Sequence, residues 1–384
     1  MTGDGDRALL PAGLQDVLPP EAAHEAAVVE RLIACLSACG YDRVKPPLLE
    51  FEEGLLSGTG AKLTQQTFRL MDPVSQRMMA LRADMTPQVA RIATSRLGAA
   101  PRPLRLCYGG QVLRVRGTQL RPERQFGQVG AELIGAPQAE ADAEVVLLAV
   151  EALEALGVSG LSVDLTQPTL LEAVAEALKL DITAQESLLA ALDHKDTAAV
   201  SALAGENAAL FGALLGAAGP ADKALEALAS IAVPAPAAGE LARLARVAGL
   251  LREAAPELIV TLDPLERRGF EYQTGVSFTL FARGVRGELG RGGRYASALP
   301  SGGSESSTGF SLYMDTVLRA LPLARMPARV YLAHGWARAQ AKSLHAEGWV
   351  TVAGLEAVAD PAAEARRLGC SHVLSQGRIE PLEG

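Results

Sequence analysis

An α+β fold is predicted for this chain: an antiparallel core sheet with helices, a helical insertion, and a small C-terminal α/β domain. Three observations carry the prediction. Residues 104–108 and 112–116, and those through Phe126, Gln128 and Gly130, alternate apolar and polar side chains, the period of strands with one buried face. Residues 167–257 shift to Ala and Leu at helical spacing. Beyond Pro322, short strand-like and helix-like segments alternate, which reads as a βαβαβ unit with a parallel sheet. The boundaries that follow are 1–166 and 258–322 for the two parts of the core, 167–257 for the insertion and 323–384 for the C-terminal domain. At 384 residues the chain exceeds the size at which a single core keeps growing, so several domains are expected.

Taken in order, Pro19-Pro20 opens a helix whose Val29, Leu32, Ile33 and Leu36 share one face, and Gly40 stands where a left-handed terminator belongs. Residues 68–72 and 77–83 read as a hairpin around Pro73-Val74-Ser75, and Thr86-Pro87 as the N-cap and first turn of the next helix. Strands follow over 104–108, 112–116 and through 126–130. On the last of these Gln128, Gly130 and Glu132 fall on one side, so an amide and a carboxylate stand together with room above the glycine; the plainer alternative is a solvated sheet face. A helix from Gln138 to Leu156 and a strand from Leu161 to Leu165 complete the first part. In the C-terminal stretch, strands are expected at 328–333, 349–353 and 372–374, with helices at 337–345 and 361–368.

Hydrophobic content of 49% is ample for a core, and 4% aromatic content means that Ala, Leu and Val build it. A net charge of −8 argues against a broad nucleic-acid surface, which needs clustered Lys and Arg. Cys35, Cys39, Cys107 and Cys370 show no metal-ligand spacing, and Cys35 and Cys39 read as reduced packing residues on one helix face. His194, His334, His345 and His372 are scattered and read as structural. No metal and no cofactor is expected. The N-terminus lacks a signal-peptide pattern and no apolar run is expected to span a membrane, so a cytoplasmic protein with no membrane contact is the expectation.

The segment 265–275, L-E-R-R-G-F-E-Y-Q-T-G, sets planar cations beside aromatic walls, a pairing suited to a small zwitterion; a charged surface hairpin is the alternative. Arg268 can fork two N–H groups onto a carboxylate. Further on, Gly290-Arg291-Gly292-Gly293-Arg294-Tyr295 precedes Thr308-Gly309-Phe310-Ser311-Leu312-Tyr313-Met314, and glycines inside a strand mark close approach of a ligand or another backbone. In this order the runs resemble the histidine-pocket strands of histidyl-tRNA synthetase, a class II aminoacyl-tRNA synthetase. Leu81 to Arg91 is similar to that family's L-R-P-E-G-T segment, Leu113-Arg114 through Gln128 to Glu132 to its motif 2, and Phe51 to Gly58 to its dimer-forming motif 1. The resemblance implies a class II synthetase-like core and carries histidine-pocket roles onto Asp84, Thr86, Arg114, Gln128, Glu132, Arg268, Tyr272 and Tyr295.

Three departures bear on activity. Thr316 stands where the synthetase has an arginine for the ATP phosphates, Arg116 where a glutamate reads the adenine, and Gln273 where a second tyrosine is expected. Losing one positioned cation costs an adenylating enzyme on the order of 3 kcal/mol of transition-state stabilisation. L-R-A-D-M-T-P-Q-V-A-R and E-R-R-G-F-E-Y-Q-T-G-V-S-F-T-L-F-A-R-G are closer still to the synthetase paralogues that serve as regulatory subunits of ATP phosphoribosyltransferase. That resemblance implies a non-catalytic, cytoplasmic subunit, a homodimer within a hetero-oligomer with the short-form catalytic subunit, and a pocket that holds histidine or is vestigial. An active synthetase is the rival reading. Residues 170–255 carry eleven acids against six bases, so tRNA binding by the insertion is not expected.

Overall fold

The computed structural model describes residues 9–56, 58–118, 121–180, 182–267 and 272–382. Two compact units are distinguished: His24–Pro322 with the residues up to Val17, and Leu323 onward with Leu18–Ala23. Helix α1 (Glu21–Ala38) buries Val28, Leu32, Ile33 and Leu36, close to the face its spacing marks, and stops before Gly40, whose φ of +84° supplies the terminator. Cys39 lies beyond the helix end and is exposed, so it packs in no core; all four cysteines are free thiols.

Along the first unit follow β1 (Asp42–Arg43), β2 (Leu49–Phe51), α2 (Glu52–Leu55), β3 (Arg69–Met71), β4 (Met78–Leu81), α3 (Thr86–Arg91), β5 (Leu104–Leu113), β6 (Gln125–Ile134), α4 (Ala139–Leu156) and β7 (Leu161–Thr166). Helices α5 (Leu170–Ala177), α6 (Ile182–Asp193), α7 (Thr197–Ala204), α8 (Ala208–Gly216), α9 (Ala221–Ala229) and α10 (Ala235–Ala254) come next, with the short β8 (Gly219–Pro220) between α8 and α9. The chain returns through β9 (Ile259–Leu262), β10 (Gln273–Ala282), β11 (Gly290–Ala298), β12 (Ser304–Tyr313) and α11 (Met314–Arg319).

Nine strands make one sheet in the order β1-β5-β6-β12-β11-β10-β7-β9-β8. Its central strands are antiparallel, while β1 with β5 and β7 with β9 are parallel. Strand alternation divides β6 cleanly. Val129, Ala131 and Leu133 join the large core with α1 and α4. Phe126 and Ile134 pack on the other side with Met85, Val89, Leu106, Tyr108 and Tyr313. Gln128, Gly130 and Glu132 share that second side, between the two apolar ends.

The stretch Thr197–Gly216 is long and apolar enough to cross a membrane, contrary to the sequence reading. It is not one rod. Helix α7 ends at Gly205, with φ +56°, and α8 restarts at Ala208 and packs back against it.

In the second unit β13 (Arg329–Leu332), α12 (Arg338–Ala346), β14 (Val350–Ala353), α13 (Pro361–Arg367) and β15 (His372–Ser375) form the expected alternation, with β14 and β15 both parallel to β13. A fourth strand, β16 (Arg378–Pro381), corrects the purely parallel expectation by pairing antiparallel with β15. Gln376 and Gly377 both take positive φ, 47° and 77°, the geometry of a two-residue hairpin turn, and Gln-Gly is a weaker hairpin signal than Asn-Gly.

Candidate functional site

The junction of β4 and α3 sets Asp84, Met85 and Thr86 over the polar row of β6. Arg82 fixes that junction, its guanidinium donating to the Gln111 and Pro46 carbonyls at 2.7 and 3.1 Å. Gln128 then bridges: its Oε1 accepts from Met85 N–H at 2.9 Å, and its Nε2 donates to Asp84 Oδ1 at 3.0 Å and Ser311 Oγ at 2.6 Å. Thr86 was expected as the N-cap of α3, but Met85 holds that position. The Thr86 backbone N–H goes to Asp84 Oδ1 at 2.9 Å, and its hydroxyl lies 3.2 Å from the Tyr108 hydroxyl.

Glu132 is 1% exposed, and each of its oxygens accepts from a tyrosine: Tyr108 at 3.1 Å and Tyr295 at 2.9 Å. Burial raises the carboxyl to about 8, against the pull of the hydroxyl donors Tyr295, Tyr108 and Thr86. The same burial, with Glu132 beside them, holds the Tyr108 and Tyr295 phenols well above their ordinary range. Tyr272 closes this end edge-on to Tyr295, ring centroids 6.2 Å apart.

Asp84, Thr86, Gln128, Glu132, Tyr272 and Tyr295 are therefore brought together in one cluster. Arg114 stands further along the face, its Nε donating to the Ala83 carbonyl at 3.3 Å and its guanidinium 5.1 Å from the Phe126 ring centre. Arg268 lies outside the described residues, as do Gly269, Phe270 and Glu271. Gln273 pairs across the sheet with Tyr295 and is buried, with its side-chain amide oxygen taking no hydrogen bond among the described residues.

One expectation about glycine needs correction, and for a second the structure selects between its two alternatives. The room above Gly130 is filled: Tyr108 and Ser311 flank it in register, and a Cβ there would overlap the Tyr108 hydroxyl and the Phe310 carbonyl. In the G-R-G-G-R-Y run it is neighbouring strands that approach closely. A Cβ at Gly292 would strike the Phe278 ring and the Gly309 carbonyl, and one at Gly293 would strike Ser277.

Four residues of this face were missed by sequence reasoning: Tyr108, Ser311, Arg291 and Arg121. Alternation with Tyr295 puts Arg291 on the site face, a signal that was readable. Arg291 pairs with Glu288 at 2.5 Å, and its neighbours Tyr313 and Glu288 more than offset burial in keeping it protonated. Arg294 turns to the opposite face, where Asp142 of α4 receives it. Arg121 had no local signal, because its partners Asp315 and Thr316 lie almost two hundred residues away.

On the helical side of the sheet a groove of about 690 Å³ runs over Leu147, Leu148 and Leu250. Two of its rim carboxylates, Glu140 and Glu144, are already paired with Arg246 and Arg105. No group of three or more His, Cys, Asp or Glu that could hold a metal occurs among the described residues.

Comparison with known proteins bears on what this geometry belongs to. The family model for histidyl-tRNA synthetase matches residues 13–317. A protein of Rhodospirillum centenum named ATP phosphoribosyltransferase regulatory subunit is 58% identical over 98% of this chain and 97% of its own. One of the same name from Paramagnetospirillum magneticum is 56% identical over 100% of both. Among solved structures, a Bacillus halodurans protein described as an ATP phosphoribosyltransferase regulatory subunit/histidyl-tRNA synthetase superposes with a TM-score of 0.80 at 26% identity, covering 94% of this chain and 96% of that one. Family match, full-length likeness and superposition agree, and the chain belongs to the family of ATP phosphoribosyltransferase regulatory subunits built on the histidyl-tRNA synthetase fold.

Proposed function

We propose that this chain is the non-catalytic regulatory subunit of an ATP phosphoribosyltransferase, required with a short-form catalytic subunit at the first step of histidine biosynthesis, and that it senses histidine as the feedback effector. The observation that carries the sensing role is the intact amino-acid half of the cluster. Asp84, Thr86 and Gln128 suit an ammonium group, Glu132 with Tyr272 and Tyr295 suits an imidazole, and Arg114 stands on the same face for the carboxylate, with Arg268, outside the described residues, assigned to it by the resemblance alone. In the cytoplasm the chain would work as a homodimer within the hetero-oligomer. Phe51, Leu70, Met71 and Met78 of the three-stranded sheet β2-β4-β3 are exposed apolar side chains suited to such pairing.

Loss of synthetase chemistry belongs to the same reading. Thr316 is buried at the start of α11, and its hydroxyl accepts from Arg121 at 3.4 Å and Arg319 at 3.2 Å. Arg121 is itself held by Asp315 at 3.0 Å, so neither cation replaces a free phosphate-binding arginine. Arg116 is exposed at the position where the synthetase reads adenine. No histidine-dependent exchange of pyrophosphate into ATP above background is expected, and Thr316→Arg alone should not restore it. Exchange at the rate of a working synthetase would overturn this part.

Reconstitution tests the whole. Added to the short catalytic subunit, the chain should be needed for full activity and should make that activity histidine-sensitive. Arg268→Ala leaves a carboxylate without its fork and should weaken histidine binding, read by calorimetry, by roughly 2 to 4 kcal/mol. By linkage, inhibition should disappear while the complex still co-elutes. Unchanged inhibition in the Arg268→Ala complex would move the sensor to another site.

A further inference from the structure

Beyond the amino-acid cluster the same sheet face continues, and it is not open. Tyr313 is the register partner of Gln128 on the neighbouring strand, so its side chain stands directly beside the amide that binds Asp84. The ring is 3% exposed. The Arg121 guanidinium lies over it, 3.9 Å from the ring centre, and Phe126 meets it edge-on at 5.7 Å and 86°. Arg121 cannot drift away, because Asp315 holds Nε at 3.0 Å and Glu288 lies 3.7 Å from Nη1. A cation on one face and an aromatic edge against the ring make a close-packed stack that fills the face between Gln128 and the turn before β6.

Direction along the face then matters. Arg114, which we assign to the carboxylate, lies 5.1 Å from the centre of the Phe126 ring that abuts Tyr313, so an amino acid with its ammonium group at Asp84 and Gln128 and its imidazole at Glu132 would set its carboxyl on the Tyr313 side. A group esterified or anhydride-linked to that carboxyl would then meet the packed Tyr313 ring. We propose that Tyr313, clasped by Arg121 and Phe126, is a specificity-determining residue that restricts the site to free amino acid and excludes carboxyl-substituted forms such as an aminoacyl adenylate. This rests on the histidine-sensing reading and deepens it: the subunit reports the free amino-acid pool and is blind to activated histidine.

Calorimetry with L-histidine and with its non-hydrolysable sulfamoyl adenosine analogue tests the idea on the full chain. The wild type should prefer the free amino acid by at least about 100-fold, since a packed stack does not yield to a bulky group. Tyr313→Gly should narrow that preference to within about 10-fold, and Tyr313→Phe, which keeps the bulk, should preserve it. Should Tyr313→Gly lose its fold by circular dichroism, Tyr313→Val takes its place, because it keeps a good strand former and still removes the ring; the preference should again narrow, by about 5-fold or more. Equal binding of both ligands by the wild type, or an unchanged preference in the folded variant, overturns the role of Tyr313 while leaving histidine sensing intact. Binding of neither ligand by the wild type removes the amino-acid pocket and this inference with it.

Discussion

Between pH 4.5 and 8 the wild-type protein is expected to lose on the order of 3 to 5 kcal/mol of stability that a Glu132→Gln variant keeps. Burial holds the Glu132 carboxyl neutral up to about pH 8, whereas an ordinary glutamate, with its value of 4.5, releases its proton far earlier. Below 4.5 both folded and unfolded chains carry the proton, and Glu132 makes no pH-dependent difference. Inside the window the folded chain holds a proton that the unfolded chain has released, so each rise in pH favours unfolding. Above about 8 both are ionised and the full cost of a buried carboxylate is present, softened by the hydroxyls of Tyr108 and Tyr295. Glutamine has the same shape, still accepts from Tyr295 and carries no charge. Urea unfolding at several pH values, reported as the difference between the two proteins, isolates this group from all others. Parallel stability curves would show that the carboxyl is not held neutral.

Arg294→Ala should cost about 3 to 5 kcal/mol, the range for removing one partner of a buried ion pair. The Arg294 and Asp142 side chains are 6% and 3% exposed, with Nη2 and Oδ1 2.8 Å apart. The guanidinium also donates to the carbonyls of Ala136 and Gln138 at 2.9 Å each, and to Ser306. It therefore ties the start of α4 to β11, and the substitution takes this donor from two carbonyls and leaves Asp142 with Arg243, 3.3 Å away, as its remaining ion-pair partner among the described residues. Replacing both members, Arg294→Met with Asp142→Leu, should recover most of the loss, because no buried charge then remains. A single variant within 1 kcal/mol of wild type by thermal or urea unfolding would mean that the pair is not part of the folding core.

These two residues also mark where sequence reasoning succeeds and where it stops. Glu132 was readable as a site-face carboxylate because strand alternation alone puts it with Gln128, and its resemblance to a synthetase motif named it independently. Arg294 sits in the run that carried the histidine-pocket resemblance, yet it serves the opposite face. Alternation from Tyr295 already implied this, since odd and even positions of β11 cannot share a side. The βα alternation after Pro322 was equally legible, while β16 was not, because its two-residue turn uses Gln in place of a stronger turn former. Thr86 looked like a helix cap and is not one, since a hydroxyl serves whichever partner the tertiary fold brings nearer.

By itself the sequence determined the period of many elements, the faces of β6, the acidic helical insertion and the family likeness. These follow from patterns within single segments, where side-chain direction is set by the local backbone. The tertiary structure decided what stands beside each of those faces. Tyr108 fills the space over Gly130, Ser311 receives Gln128, and Arg121 crosses to Asp315 and Tyr313. Gln128 and Ser311 are 183 positions apart and Arg121 and Asp315 are 194. Such pairs depend on the register between strands brought together by folding, and no pattern inside either segment encodes that register.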